Sequence, residues 1–128
     1  MTLTLLALLI TGLMPVVCAG ISKSGFKGYD NHNPRQWLAR QEGWRARAYA
    51  AQQNSWEALA LFGAALLGAI IAELDPMLIN TLSGVFLVAR VAYLGCYLYD
   101  KASLRSLVWL IGFGACMALL ILALMSLH

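Results

Sequence analysis

The stretch ALALFGAALLGAIIAELDPMLINTLSGVFLVARVAYLGCYLY, residues 58–99, decides the fold. It is two apolar runs divided by a short polar break, with Glu73 and Asp75 ahead of Pro76. A proline biases the residue before it away from the helical region, so the break ends one helix and starts the next. A helix rises about 1.5 Å per residue, and about 20 apolar residues cross the roughly 30 Å hydrocarbon core of a bilayer. The expected helices around this break, at about 44–73 and 77–99, are both long enough to do so.

Working outward, the chain offers two more such runs. Residues 1–22 hold no charged side chain, and residues 104–127 form an apolar run whose one charged side chain, Arg105, stands at its start. The first run is longer than the apolar core of a signal peptide, and no lysine or arginine precedes it, so it is expected to remain as a helix bent at Pro15. Gly112 and Gly114 in the last run are expected to allow close helix contact. The composition agrees: 61% of the 128 residues are hydrophobic and 12% charged, against about a quarter charged in soluble domains. The expectation is an all-α membrane protein, a four-transmembrane-helix bundle forming one domain over 1–128, with helices at about 2–22, 44–73, 77–99 and 104–127.

Between the first two helices, residues 23–43 change character, with Gly25, Gly28, Asp30, Asn31, Asn33 and Pro34 supplying turn chemistry. Trp37 and Trp44 lie near the far end, where indole rings favour the headgroup level. Lys23, Lys27, Arg35, Arg40, Arg45 and Arg47 lie in or beside this connection, and Lys101 and Arg105 in or beside the third. The second connection has Glu73 and Asp75 and no basic residue. The positive-inside rule therefore places the first and third loops in the cytoplasm and both termini opposite. The compact length suggests a bacterial inner membrane.

Cys18, Cys96 and Cys116 fall in different apolar runs with no C-x-x-C pair, and they read as small packing residues. Neither a metal ion nor a nucleic acid is expected as a partner. The informative residues are charged ones inside helices, because a charge near a helix centre costs about 2.5 to 3.5 kcal/mol on insertion scales. Glu57 and Arg90 are both displaced toward the end that carries the basic loops, where they either pair with each other or line a polar cavity. Arg47, Asn54 and Glu57 recur at helical spacing on the second helix, with Gln53 one turn before Glu57; Arg90, Tyr93 and Tyr97 recur on the third. One edge offers a carboxylate and amides, the other a guanidinium and phenols, a set able to hold a zwitterionic ligand. The same residues would equally serve to lock helices or subunits together.

Two segments carry a family resemblance. RAYAAQQNSWE, residues 47–57, and FLVARVAYLGCYLYDKASLR, residues 86–105, together resemble the MAPEG family, the membrane-associated proteins in eicosanoid and glutathione metabolism. The first is similar to that family's arginine followed by N-x-x-E, the second to its A-R-x-x-Y-x-x-x-Y followed by an arginine. The resemblance implies a homotrimer that binds glutathione as co-substrate between subunits. Asn54, Glu57 and Gln52 then match contacts on the second helix, with Arg47 beside them, and Arg90, Tyr93 and Tyr97 match the third-helix side. Arg105 matches, within one residue, the arginine that activates the thiol. The implied activity is a glutathione-dependent transferase or peroxidase acting on a small apolar electrophile that arrives through membrane lipid. The chain departs from the glutathione-using pattern at Ala50 and Ala58, where an arginine and a large side chain are usual. Those departures support an alternative, a non-catalytic trimeric binding or structural membrane protein of the same fold. A small proton-coupled transporter is the third reading, disfavoured because the first helix has no acidic residue.

Overall fold

A computed structural model of the chain describes residues 1–25 and 27–127. These form helices α1 (Thr2–Lys23), α2 (Pro34–Ala39), α3 (Gly43–Ile71), α4 (Pro76–Leu98) and α5 (Ala102–Ser126). α1, α3, α4 and α5 are the four spans expected, each long and apolar enough to cross a bilayer. α2 is a correction: the first connection is not all turns but holds a six-residue helix. Pro34 occupies its first turn, where a missing N–H loses no hydrogen bond. Ahead of it, one oxygen of the Asp30 carboxylate accepts from the His32 N–H at 2.9 Å and the Asn33 N–H at 3.3 Å, which bends the chain into the helix.

The break that decided the fold has its own geometry. α3 ends at Ile71 rather than at Glu73, because Glu73 adopts a left-handed conformation with φ of 53°. Its N–H donates to the Ile70 carbonyl at 3.1 Å and the Leu74 N–H to the Ala69 carbonyl at 3.0 Å, a Schellman closure that satisfies two terminal carbonyls. Asp75 then caps α4, accepting from the Met77 N–H at 2.8 Å. α4 closes in the same way, with Asp100 at φ of 57° and the Lys101 N–H donating to Cys96 at 2.8 Å.

Hydrogen bonds between helix ends give the directions. Thr4 near the start of α1 meets Asn80 near the start of α4, and Ser126 at the end of α5 reaches Ala72 after α3. Arg47 at the start of α3 reaches Leu98 at the end of α4. The spans therefore alternate up and down, and the two basic connections share one end of the bundle. α1 packs mainly on α3 and α4 mainly on α5, with α3 against α5 and α1 against α4 closing the ring. At the centre Phe62 and Phe86 stack at 4.1 Å, surrounded by Ala7, Ala65, Leu66, Ile79, Cys116 and Leu119.

Small residues set the helix spacing, and not all where expected. A Cβ on Gly112 would lie 3.4 Å from the Ala89 Cβ, so that glycine lets α5 close on α4. A Cβ on Gly114 would meet nothing within 4 Å among the described residues, so a larger side chain fits there and no close helix approach depends on that glycine. The three cysteines are free and buried in their separate helices. No span is buried over more than 33% of its most apolar stretch, and Leu5, Leu9, Val16, Ile71, Val88 and Leu124 all face outward. Such a surface suits lipid or a second copy rather than water.

Candidate functional site

α3 contributes a polar first half and α4 the matching charge. Arg90, 3% exposed, donates from one terminal nitrogen to the Asn54 Oδ1 at 2.9 Å and from the other to the Ser55 Oγ at 3.4 Å. Asn54 in turn donates from Nδ2 to the Glu57 Oε2 at 3.2 Å. The expected alternatives for Glu57 and Arg90 thus resolve into a relay: there is no direct ion pair between them, and Asn54 joins the two through its amide. Ser55 is anchored by its own bond to the Ala51 carbonyl at 2.7 Å. Gly112 seals the other side, since a Cβ there would sit 4.0 Å from the Arg90 Cδ.

Asn54, Glu57 and Arg90 line one end of a cleft of about 140 Å³ between α3, α4 and α5. Its other walls are apolar: Ala58, Leu61, Phe86 and the stacked pair Trp109 and Phe113, whose rings lie 5.1 Å apart. The Arg90 Nε is buried without a hydrogen-bond partner, and the Glu57 carboxylate is exposed at the cleft mouth. Toward the basic end, Arg90 lies 4.3 Å over the Tyr93 ring, Tyr93 meets Tyr97 edge-on at 5.3 Å, and Arg105 lies 4.4 Å over Tyr97. Two cations therefore bracket a pair of rings from Arg90 to Arg105, each cation facing a ring's negative quadrupole.

Two of the sequence-selected residues lie elsewhere. Arg47 donates to the Leu98 carbonyl at 3.4 Å and lies 3.9 Å from the Asp100 carboxylate, so it closes the end of α4. Gln52 lies on a different face of α3, in a groove with Lys23, Arg35 and Tyr49. The family model for MAPEG matches residues 2–125, nearly the whole chain. The chain belongs to the MAPEG family. Neither a curated protein nor a solved structure matches it.

This MAPEG protein therefore brings Asn54, Glu57 and Arg90 into one cleft, packs Tyr93, Tyr97 and Arg105 in a row beyond Arg90 without lining that cleft, and leaves Arg47 and Gln52 outside it. Sequence reasoning missed Ser55 and the walls Trp109, Phe113 and Cys116. Trp109 and Phe113 had a usable signal, an aromatic pair one helical turn apart. Ser55 had none, since a lone serine beside Asn54 predicts nothing about a guanidinium on another helix. Chemically, a carboxylate with acceptor capacity to spare stands at one edge and an unpartnered guanidinium N–H behind it, with an apolar chamber adjoining both.

Proposed function

We propose that this integral membrane MAPEG protein is a glutathione-dependent transferase or peroxidase whose second substrate is an apolar electrophile entering from the bilayer. The observation that carries the reading is the relay from Arg90 through Asn54 to Glu57 at the edge of an apolar cleft. A buried guanidinium and an exposed carboxylate inside spans are costly to keep, and intramembrane charges mark ligand sites by default. The residues fit a zwitterionic peptide: Glu57 accepts from an ammonium, and the Arg90 Nε–H donates to a carboxylate. Ligand pockets generally begin at about 300 Å³, and this cleft is smaller. A second copy of the chain supplies the missing wall, covering Glu57, Trp109 and Phe113, and the resemblance makes the assembly a homotrimer.

Glutathione, when bound, supplies a thiol as nucleophile or reductant. A free thiol with pKa of about 8.5 is only a few per cent ionised at neutral pH. The Arg105 guanidinium, held over Tyr97, favours the thiolate electrostatically, while Trp109 and Phe113 offer the electrophile an apolar seat. The two basic connections face the cytoplasm by the positive-inside rule, so glutathione enters from that side. In a bacterium this membrane is the inner one.

Equilibrium binding of glutathione to detergent-solubilised protein tests the site. Binding is expected for the wild type and lost in Glu57→Ala and Arg90→Ala; wild-type binding no tighter than either variant removes the reading. Thiolate absorbance on adding glutathione, with and without Arg105→Ala, tests activation separately, and an unchanged signal removes Arg105 from the mechanism. One observation favours a second reading, a trimer of the same fold without glutathione chemistry: Ala50 and Ala58 replace side chains that would grip the ligand. No binding by a folded wild-type trimer is its signature.

A further inference from the structure

Where α3 meets α4, the Arg90 guanidinium is held on both terminal nitrogens by two residues adjacent in the chain. Asn54 accepts from one at 2.9 Å and Ser55 from the other at 3.4 Å. The two holds differ in kind. Asn54 lines the cleft and passes the interaction on to Glu57, whereas Ser55, 2% exposed, stands behind the cleft wall.

The Ser55 hydroxyl is committed to one role. A serine hydroxyl has one proton and two acceptor lone pairs. Its proton goes to the Ala51 carbonyl, one turn back at 2.7 Å, a back-bond common to helical serine and threonine. Only lone pairs remain to face α4, so Ser55 can accept from the guanidinium and cannot donate to a competitor. Among the described residues nothing else accepts from that Arg90 nitrogen. The Tyr93 ring, 4.3 Å from the guanidinium carbon, attracts the charge without choosing which N–H points where. Asn54 alone would therefore leave the group free to pivot about a single hydrogen bond. Ser55 supplies a second fixed point, and with it the direction of Nε, the nitrogen that is left without a partner.

We infer that Ser55 is a positioning residue for ligand recognition: by holding the second terminal nitrogen of Arg90 it fixes the orientation in which the free Nε–H meets a carboxylate of the bound peptide. The inference rests on the glutathione reading for what that N–H receives, and on the two hydrogen bonds for the hold itself. A guanidinium that spends both terminal nitrogens on protein thus keeps one aimed donor, and a hydroxyl that touches no ligand sets the aim.

The wild type is compared in detergent with Ser55→Ala and with Ser55→Thr and Ser55→Val, two replacements of nearly one shape that differ in the hydroxyl. NMR of the arginine side-chain nitrogens, with the Arg90 signals assigned by their absence in Arg90→Met, reads the hold; equilibrium binding of glutathione reads its consequence. The two terminal nitrogens of Arg90 are expected to give separate signals in the wild type and Ser55→Thr, where hydrogen bonds hinder rotation about the Nε–Cζ bond, and to merge in Ser55→Ala and Ser55→Val. Glutathione affinity is expected to fall about tenfold in the alanine and valine variants, the low end for a hydrogen bond to a charged group, as a 3.4 Å contact implies. Ser55→Thr is expected to keep it. A packing role would treat threonine and valine alike, so separate signals in folded Ser55→Val, or equal glutathione affinity in that pair, overturns the inference. Where Ser55→Val does not fold by circular dichroism, Ser55→Ala against the wild type reads the same two differences. A folded wild type that binds no glutathione ends the glutathione reading and the recognition step with it, and is told apart from failure of the hold because the Arg90 signals still follow the hydroxyl.

Discussion

Arg90 is the residue on which the site turns, and its cost and its function separate cleanly. Removing the guanidinium returns an insertion cost of about 2.5 to 3.5 kcal/mol. It also forfeits two hydrogen bonds from a charged donor and a ring contact, together of similar size. Arg90→Met is therefore expected to change thermal stability by no more than about 1 kcal/mol while abolishing glutathione binding, since a buried charge and its apolar isostere often balance. A calorimetric scan beside a binding titration checks both halves. Asp30 is the residue with a pH signature outside the membrane. The His32 backbone N–H, and after it Asn33, hold its carboxyl below the usual aspartate range. A depressed folded pKa means that the stabilisation is complete above the ordinary aspartate pKa and lost as pH falls through the folded value. Amide shifts of His32 and Asn33, followed by NMR on acidification, are expected to move together at that lower pH, and Asp30→Asn to remove the titration.

At the scale of elements, helix ends carry most of the information that apolar patterning omits. Glu73 and Asp100 each take the left-handed position that glycine fills at no steric cost. The left-handed conformation costs about 1 to 2 kcal/mol for an L-residue, and glycine returns part of that through its unfolded-state entropy. Glu73→Gly is therefore expected to stabilise by about 0.5 to 1 kcal/mol in a denaturation midpoint, whereas Asp100→Gly gains less because it also gives up the contact with Arg47. The start of α1 has no side-chain cap of its own. Asn80 supplies one from α4, accepting from the Thr4 N–H at 3.1 Å and the Thr4 hydroxyl at 3.3 Å. Polar contacts between spans average about 0.6 kcal/mol and reach about 1.7. Asn80→Leu is expected to lose an amount near the upper value, because it strips a backbone donor and a hydroxyl together, and exchange of the Thr4 amide should accelerate.

For the whole molecule, the outward surface is where an expected assembly is tested. Glu57 is exposed within a span, and the neighbouring Trp109 and Phe113 are 41% and 36% exposed. A carboxylate facing hydrocarbon is expensive, so that face is expected to be covered by another copy. Native mass spectrometry in mild detergent should give a trimer, and Trp109→Glu, which sets a second carboxylate on that face, should shift it toward monomer. A wild-type monomer under the same conditions would leave Glu57 without its covering wall and count against the shared site.

The number of spans, their approximate limits and the end that carries the basic residues were legible in the chain, because a bilayer imposes a length and an apolar composition on any helix that crosses it. Asn54, Glu57 and Arg90 were legible for the same reason: a polar side chain inside a span is conspicuous. Other features depended on which helix packs beside which. Helical spacing placed Arg47 on the same stripe as Asn54, yet the close of α4 draws it to Leu98 and Asp100. Gln52 lies two residues before Asn54, and that rotation of about 200° carries it to another face and another groove. Ser55 became meaningful only when α4 set Arg90 beside α3, and Trp109 and the glycine that matters, Gly112 rather than Gly114, only when α5 closed on α4. Sequence fixes what must leave the lipid; packing chooses the partner that receives it, since hydrogen-bond geometry and close contact act over a few ångströms between segments far apart in the chain.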